Sequence, residues 1–459
     1  MHESCGIFGV YASGLDIARL TFFALFALQH RGQEAAGIAV TDGGSLSRSV
    51  GPGLVSHVFQ ESDLARLHGH AGIGHTCYSA AGARAPAVPQ PIVVDSGIWR
   101  LAVAHNGNIV NAAALRSELE ASGCFFQTSN DAEVIAWLIA SAHGSTWRDK
   151  LSHSLSRLQG AYSLAILTPD GVVAARDSLG VRPLCLGTLD GGRVVASESC
   201  ALDHIGAQFE RDVIPGEIVS IGRENWSISP NRNGRRASCV FEHIYFARPD
   251  STIEGRLVYE SRLTMGAKLA EEYPVDAELV IGVPDSATAA AIGYARASGI
   301  PYREGLLKNR YVGRTFIAPD QRLRDLGVQL KFNPLASIIR GKRIVVVDDS
   351  IVRGTTTPHV INLLKQAGAK EVHLRICAPP LRHPCALGVD MASEWELIAA
   401  RMSVPQIQKY LGVDSLGYLS VEGLVEAVGL PRELLCLACI TGEYPLPVQM
   451  GLPSLEMES

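Results

Sequence analysis

The chain reads as two domains of different class: an α+β layered domain, then an α/β domain built on a doubly wound parallel sheet. Three observations predict this: a change of rhythm near residue 230, the spacing of apolar residues on either side, and a polar stretch between. Up to about residue 230, short apolar runs (CGIFGVYA, GIAVTD, LAVAHNGNIV, AYSLAIL, GVVAAR) are separated by glycine turns, the pattern of strands. DIARLTFFALFALQH and AEVIAWLIASA interrupt them with apolar residues at helical spacing, so strands and a few helices should layer. SISPNRNGRRAS (227–238) is polar, rich in turn formers and reads as a linker. Beyond it strands and helices alternate. The strands are ELVIGVP, RIVVVDD and EVHLRICAP; the helices are YESRLTMGAKLAEEY, SATAAAIGYARASG and TPHVINLLKQAGA.

Bulk properties narrow the function classes. At 459 residues the chain is too long for one ordinary core and suits two or three domains. Hydrophobic residues at 47% and charged residues at 19% describe a globular chain. A net charge of -5 argues against a general nucleic-acid binder. No apolar run approaches the roughly 18 residues of a membrane span, and MHES lacks the parts of a signal peptide, so a cytoplasmic enzyme is expected. Ten cysteines are too few for a disulfide scaffold in a chain this long, which points to catalytic or metal-bound thiols.

The strongest local signal is RIVVVDDSIVRGTTT (343–357). An apolar strand ends in two carboxylates and runs into a Ser/Gly/Thr loop that opens a helix. Backbone N–H groups in such a loop form an anion site for phosphate, and the acids suit ribose hydroxyls or the water shell of Mg²⁺. A strand end capped by Asp is the plainer explanation, but capping does not require two adjacent acids and a G-T-T-T loop. Neither a Walker A sequence nor G-x-G-x-x-G is present in this run.

This run resembles the phosphoribosyl pyrophosphate (PRPP) loop of type I phosphoribosyltransferases. With DDSIVRGTT it is similar to that of the amidophosphoribosyltransferase family, which opens purine synthesis. FEHIYFARPDS (241–251), VPDS (283–286), AAIGYA (290–295), KNRYVGRTFI (308–317) and LGYLSVEGL (416–424) extend the likeness. So do CGIFG, LQHRGQEAAGI (28–38), HNGNIV (105–110) and DSLGVRPL (177–184) in the first half, and the resemblance covers essentially the whole chain. It implies a glutaminase domain of N-terminal-nucleophile type over 5–230 behind a leader of residues 1–4, and a type I phosphoribosyltransferase domain over 231–459. It further implies Ser286, Asp348 and Asp349 around Mg²⁺, with Asp348, Asp349, Ser350, Gly354, Thr355, Thr356 and Thr357 holding PRPP. Lys308 opens a polar segment, to about residue 340, that the resemblance makes a loop closing over PRPP. A homotetramer is implied as well.

Cys436 and Cys439 form a C-x₂-C pair, and Cys239 and Cys385 lie far from it. Spacing alone is compatible with four-thiolate zinc or an iron–sulfur cluster, or with packed thiols. SCVFEHIYF, RHPCALGVD and CLACITGEYP resemble the ligand segments of the family's iron–sulfur branch, which implies a [4Fe–4S] cluster stapling the domains near the linker. Cys124, Cys185, Cys200 and Cys377 are expected in cores.

By the same resemblance, removal of Met1–Ser4 leaves Cys5 as nucleophile, with its own α-amine as base. An α-amine of pKa about 7.7–8.0 can accept a proton at neutral pH. Asn106 and Gly107 correspond to the oxyanion pair, Arg31 to an arginine near the nucleophile, and Asp131 to the acid that holds the substrate ammonium. The chain departs from the pattern at GHTCYSAAG (74–82), where the family reads GH-V-R-Y-x-T-A-G. Cys77 and Ala80 stand where an arginine and a threonine would meet the α-carboxylate of glutamine, with Arg84 as a substitute cation. The main reading is the full reaction, ammonia from glutamine displacing pyrophosphate from PRPP. The alternative is a PRPP transferase with an impaired glutaminase, using free ammonia, an amine or a heterocyclic base. A non-enzymatic PRPP sensor is opposed by the complete DDSIVRGTTT and KNRYVGRTF segments.

Overall fold

The computed structural model describes residues 5–78, 88–229, 234–309, 331–389 and 393–447. The first half is two stacked antiparallel sheets with helices on both outer faces. Its strands are β1 (Gly6–Ala12), β2 (Ala35–Thr41), β3 (Leu46–Pro52), β4 (Ala71–Cys77), β5 (Ile92–Asp95), β6 (Arg100–Ile109) and β7 (Gly160–Thr168). They continue as β8 (Gly171–Arg176), β9 (Cys185–Leu189), β10 (Gly192–Ala196), β11 (Gln208–Asp212), β12 (Ile218–Gly222) and β13 (Trp226–Ile228). One sheet runs β11-β9-β10-β1-β4-β2-β3 and the other β13-β12-β8-β7-β6-β5.

Ile7, Ile73 and Val195 of the first sheet interlock with Ala102, Leu167 and Val172 of the second in a dry inner layer. The helix Ile17–Ala27, begun by Asp16 accepting from the N–H of Arg19, covers the first sheet through Ala18, Ala24 and Leu25. On the second sheet lie Ala112–Ala121, Asp131–Ser141 and Trp147–Leu155. A buried face on every layer explains why so many of these strands are continuously apolar rather than alternating.

In the second half, β14 (Ser238–Cys239) precedes a tight hairpin of β15 (Thr252–Ile253) and β16 (Arg256–Leu257). The parallel sheet has the order β17 (Leu279–Gly282), β20 (Arg343–Asp348), β21 (Glu371–Ile376) and β22 (Ser415–Tyr418). Helices Val258–Glu272, Thr288–Ser298 and Val421–Val428 pack one face of it; Thr357–Gln366 and Val404–Leu411 pack the other. The sheet is doubly wound, as the alternation predicts.

Two expectations change. The polar stretch 227–238 is not wholly linker, because Trp226–Ile228 is an edge strand paired to β12 and Ser238 already belongs to β14. Part of the segment expected as a loop, from Lys308 to about 340, is ordered. β18 (Leu306–Lys308) pairs with β19 (Phe332–Pro334), and Ala336–Ile339 is helical because Phe332 and Ile339 are buried in the core. Residues 310–330 lie outside the described residues, as do Met1–Ser4, Ala80 and Arg84. Cys185, Cys200 and Cys377 are buried, whereas Cys124 is only partly so at the margin of a helix core. No helix among the described residues is long and apolar enough to cross a membrane.

Candidate active sites

Cys5 stands at the mouth of β1, where the register Gly6↔Thr76 puts it opposite Cys77 at the end of β4. Its thiol lies 3.9 Å from the carbonyl of Tyr78, and that of Cys77 lies 3.5 Å from the same oxygen. The Cys77 S–H against the Cys5 sulfur holds the Cys5 thiol well below its ordinary value; burial opposes this and the His75 imidazole adds to it. Cys77 moves the opposite way, pushed up by its contact with Cys5 and by burial. A depressed thiol is what nucleophilic attack needs.

The backbone at Cys5 is held from below. Arg31, 1% exposed, donates Nε–H to the Cys5 carbonyl at 3.2 Å. Its other nitrogens reach Glu198 and, at 2.8 and 3.0 Å, Glu242. Burial would raise the Glu198 carboxyl, but the charges of His30 and Arg31 outweigh it and keep that group low. Arg31 therefore acts through the backbone of Cys5 and ties it to Glu242 in the second half of the chain.

The second sheet brings the oxyanion candidates to the same end. His75 Nε2 donates to the carbonyl of His105 at 3.1 Å, joining β4 to β6 across the sandwich. Asn106 is buried, and among the described residues neither its Oδ1 nor its Nδ2 has a hydrogen-bond partner. Buried amides are rarely left so, and this one is available to a ligand. Gly107 takes φ 146°, and a Cβ there would lie 1.9 Å from the Ala161 carbonyl. Asp131, at the start of its helix, accepts from the N–H of Ile109 at 3.0 Å. His105 lies between charges: burial lowers its pKa, while Asp131 and Cys5 push it back up. His75 and His105 were missed as site residues, although both flank motif residues in GHTC and HNG.

The second site is at the carboxyl end of the parallel sheet. Asp348 closes β20; its Oδ1 accepts from the N–H of Asp349 at 2.9 Å. The Asp349 carboxylate accepts from the hydroxyls of Ser286 and Ser350, each at 2.5 Å. Burial and the charge of Asp349 push Asp348 well up; burial likewise raises Asp349, against the two hydroxyls and Arg262. Gly354 turns the loop at φ 70°, Thr355 and Thr356 are exposed, and Thr357 begins the helix. Lys308 pairs with Asp285 at 2.8 Å on the rim.

The four cysteines expected to share a cluster are neighbours. Cys239 and Cys436 are partners across the parallel pair β14 and β23 (Leu435–Cys436). The N–H groups of Arg382 and His383 donate to the carbonyl of Cys439, which brings the Cys385 loop beside it. Burial, then the neighbouring Cys385, Cys239 and Cys436, push the Cys439 thiol up; Cys436 is raised to about 11, chiefly by burial. All four are free thiols. Among the described residues no three His, Cys, Asp or Glu side chains are drawn together as a metal site.

Past Cys385 the chain straps the first domain. The Ala386 carbonyl accepts from Asn108 Nδ2 at 3.0 Å and that of Leu387 from Arg182 Nη2 at 2.9 Å. Gly388 meets Gly107 so closely that a Cβ on it would stand 2.7 Å from the Gly107 carbonyl carbon.

A four-layer domain with a cysteine at the mouth of a central strand, joined to a parallel sheet carrying an acid pair and an anion loop, defines a glutamine amidotransferase fused to a phosphoribosyltransferase. Residues 81–204 match the glutamine amidotransferase domain family. The chain is 48% identical to the amidophosphoribosyltransferase of Methanocaldococcus jannaschii (97% of this chain, 98% of that protein). It is 46% identical to that of Bacillus subtilis (98% and 95%). It superposes with TM-score 0.92 and 46% identity on a structure described as the allosteric regulatory enzyme of purine biosynthesis, covering 97% of each chain. It also superposes, with TM-score 0.91 and 45% identity, on the B. subtilis glutamine PRPP amidotransferase complexed with ADP and GMP, covering 97% of this chain and 98% of that one. The chain belongs to the amidophosphoribosyltransferase family.

Proposed function

We propose that this enzyme hydrolyses glutamine at Cys5 and uses the ammonia to displace pyrophosphate from PRPP, giving 5-phosphoribosylamine, in the cytoplasm. Residues 5–230 form the glutaminase domain and 231–459 the phosphoribosyltransferase domain, with residues 1–4 removed. The observation that carries this is the Cys5 site itself. A lowered thiol at Cys5, a buried Asn106 amide without a partner among the described residues and the strap 386–388 support a nucleophile and an oxyanion pocket set against the PRPP half of one chain. Near-full-length relatives of this similarity support glutamine as the donor over a recruited base.

In this reading the Cys5 thiolate attacks the glutamine amide carbon. Its α-amine takes the thiol proton and passes it to the departing ammonia, then takes a proton from the water that cleaves the thioester. Asn106 Nδ2 and the Gly107 N–H receive the oxyanion, Asp131 holds the substrate ammonium, and Arg31 fixes the Cys5 backbone. In the other domain Gly354 and Thr355–Thr357 cradle phosphate, with Ser350 and Lys308 beside it, while Asp348 and Asp349 orient the ribose.

Mg²⁺ suits this site: two carboxyls forced upward by burial and mutual repulsion need a cation to stay ionised together. When bound, it neutralises the leaving pyrophosphate. The free thiols of Cys239, Cys385, Cys436 and Cys439, carried on adjoining segments, suit a [4Fe–4S] cluster by donor type. The strap runs directly from Cys385, so a cluster there would fix the domain contact. A homotetramer completes the proposal.

The test is PRPP-dependent pyrophosphate release with glutamine and with ammonia. Turnover with both is expected; release with ammonia alone overturns the glutaminase assignment. Iron and sulfide assays on anaerobically purified protein should find about four irons per chain. Stoichiometric zinc, or no metal, would refute the cluster.

A further inference from the structure

Cys5 and Cys77 are more than neighbours in the pocket. The register of β1 and β4 ends with Gly6 paired to Thr76, and extending it by one residue sets Cys5, just before β1, opposite Cys77. Residues opposite one another in an antiparallel ladder have Cα atoms about 4.5–5.5 Å apart and side chains on one face, within the disulfide range of about 4.4–6.8 Å. Both thiols approach one oxygen, the Tyr78 carbonyl, at 3.9 and 3.5 Å, and neither is in a disulfide. Side-chain rotation can therefore close the bond without moving the strands.

We propose that Cys5 and Cys77 form a reversible disulfide on exposure to a low-molecular-weight disulfide, switching off glutamine use while ammonia-dependent turnover continues. The proposal rests on Cys5 being the glutaminase nucleophile. Partly exposed Cys5 attacks first: its thiolate displaces one thiolate from the small disulfide and leaves a mixed disulfide on the protein. Buried Cys77 loses its proton and attacks the Cys5 sulfur, expelling the second small thiolate. The protein gives up two hydrogens in all, and the small disulfide takes the electron pair and two protons as two thiols.

The interaction already present favours this order. The contact between the two sulfurs lowers the Cys5 thiol and raises that of Cys77, so Cys5 is the first to attack and Cys77 the resolving thiol. An arginine at 77, as in the pattern this chain resembles, could not resolve the adduct. The device belongs to chains with cysteine there.

The experiment uses the purified full chain, held anaerobically with oxidised glutathione. The readouts are a non-reducing peptide map and pyrophosphate release with glutamine and with ammonia. A Cys5–Cys77 linked peptide is expected, with glutamine-dependent release down about tenfold or more, restored by dithiothreitol, and ammonia-dependent release unchanged. Cys77→Ser should instead retain a glutathione adduct on Cys5. The unsubstituted enzyme alone can overturn the proposal, by keeping the adduct, by forming no linked peptide, or by using glutamine normally once linked. A linked peptide in a protein that never used glutamine would support the bond and overturn the nucleophile assignment.

Discussion

The Cys5 pocket and the Asp348–Thr357 loop solve opposite problems. The first is interior: Arg31 and Asn106 are buried, two sheets converge on it, and its supports come from residues 167 and 211 positions along the chain. The second is a rim: Thr355 and Thr356 are exposed, and two hydroxyls hold Asp349 of its acid pair, one of them from the next residue. Attack by a thiol needs fixed geometry, which long-range packing supplies. Receiving a large polyanion needs backbone N–H groups facing outward, which a short loop supplies by itself.

Substitutions should therefore separate the two regions. Cys5→Ser should lower glutamine-dependent turnover by on the order of 10⁴-fold or more, as loss of a nucleophile does, and spare the ammonia reaction. Equal loss of both would break the division. Asn106→Ala should repeat that selectivity at about 10²–10³-fold in kcat, since it removes one oxyanion donor. Asp348→Asn with Asp349→Asn should instead depress both reactions by on the order of 10²-fold, measured as pyrophosphate release. Full ammonia-dependent turnover in that variant would remove the acid pair from the PRPP site.

The same contrast explains what could be read from sequence. The acid pair and its loop are contiguous in RIVVVDDSIVRGTTT, so their placement at the end of a strand and the start of a helix is written locally. The helix Ile17–Ala27 was legible through Asp16 and its apolar spacing. Arg31 was legible by resemblance, but its tie to Glu242 was not, because nothing local pairs residues 211 apart. The strap from Ala386 to Asn108 spans 278 positions and was equally invisible. Strand β13 was hidden by its polarity, since an edge strand carries few buried residues. Cys77 was noticed for the arginine it replaces, whereas extending the register of β1 and β4 by one residue sets it opposite Cys5.

Glu242→Gln probes the seam between the regions. Arg31 and Arg182 both face this carboxylate, with side chains 0% exposed. Breaking a buried pair leaves uncompensated charge and costs about 3–5 kcal/mol. Thermal melting should fall, and glutamine use should suffer more than ammonia use because Arg31 holds the Cys5 carbonyl. An unchanged melting temperature would show that the seam is not held here.

The smallest effect sharpens the comparison most, because it opposes stability to activity at the rim. Asp348 has its carboxyl raised by burial and by the charge of Asp349. A group whose pKa is higher folded than unfolded favours the fold below its unfolded value, and that contribution is lost as pH rises through the folded value. At neutral pH the unliganded enzyme therefore carries an ionisation cost at this pair. Asp348→Asn should raise the melting temperature by a few degrees at neutral pH even as it lowers turnover. The gain should vanish near or below about pH 4, where the unfolded carboxyl is itself protonated. Mg²⁺ with PRPP should stabilise the unsubstituted enzyme more than the variant, because a bound cation relieves the repulsion that the amide has already removed. A variant less stable than the parent at neutral pH would mean that Asp348 serves the fold and that the rim is as structural as the Cys5 pocket.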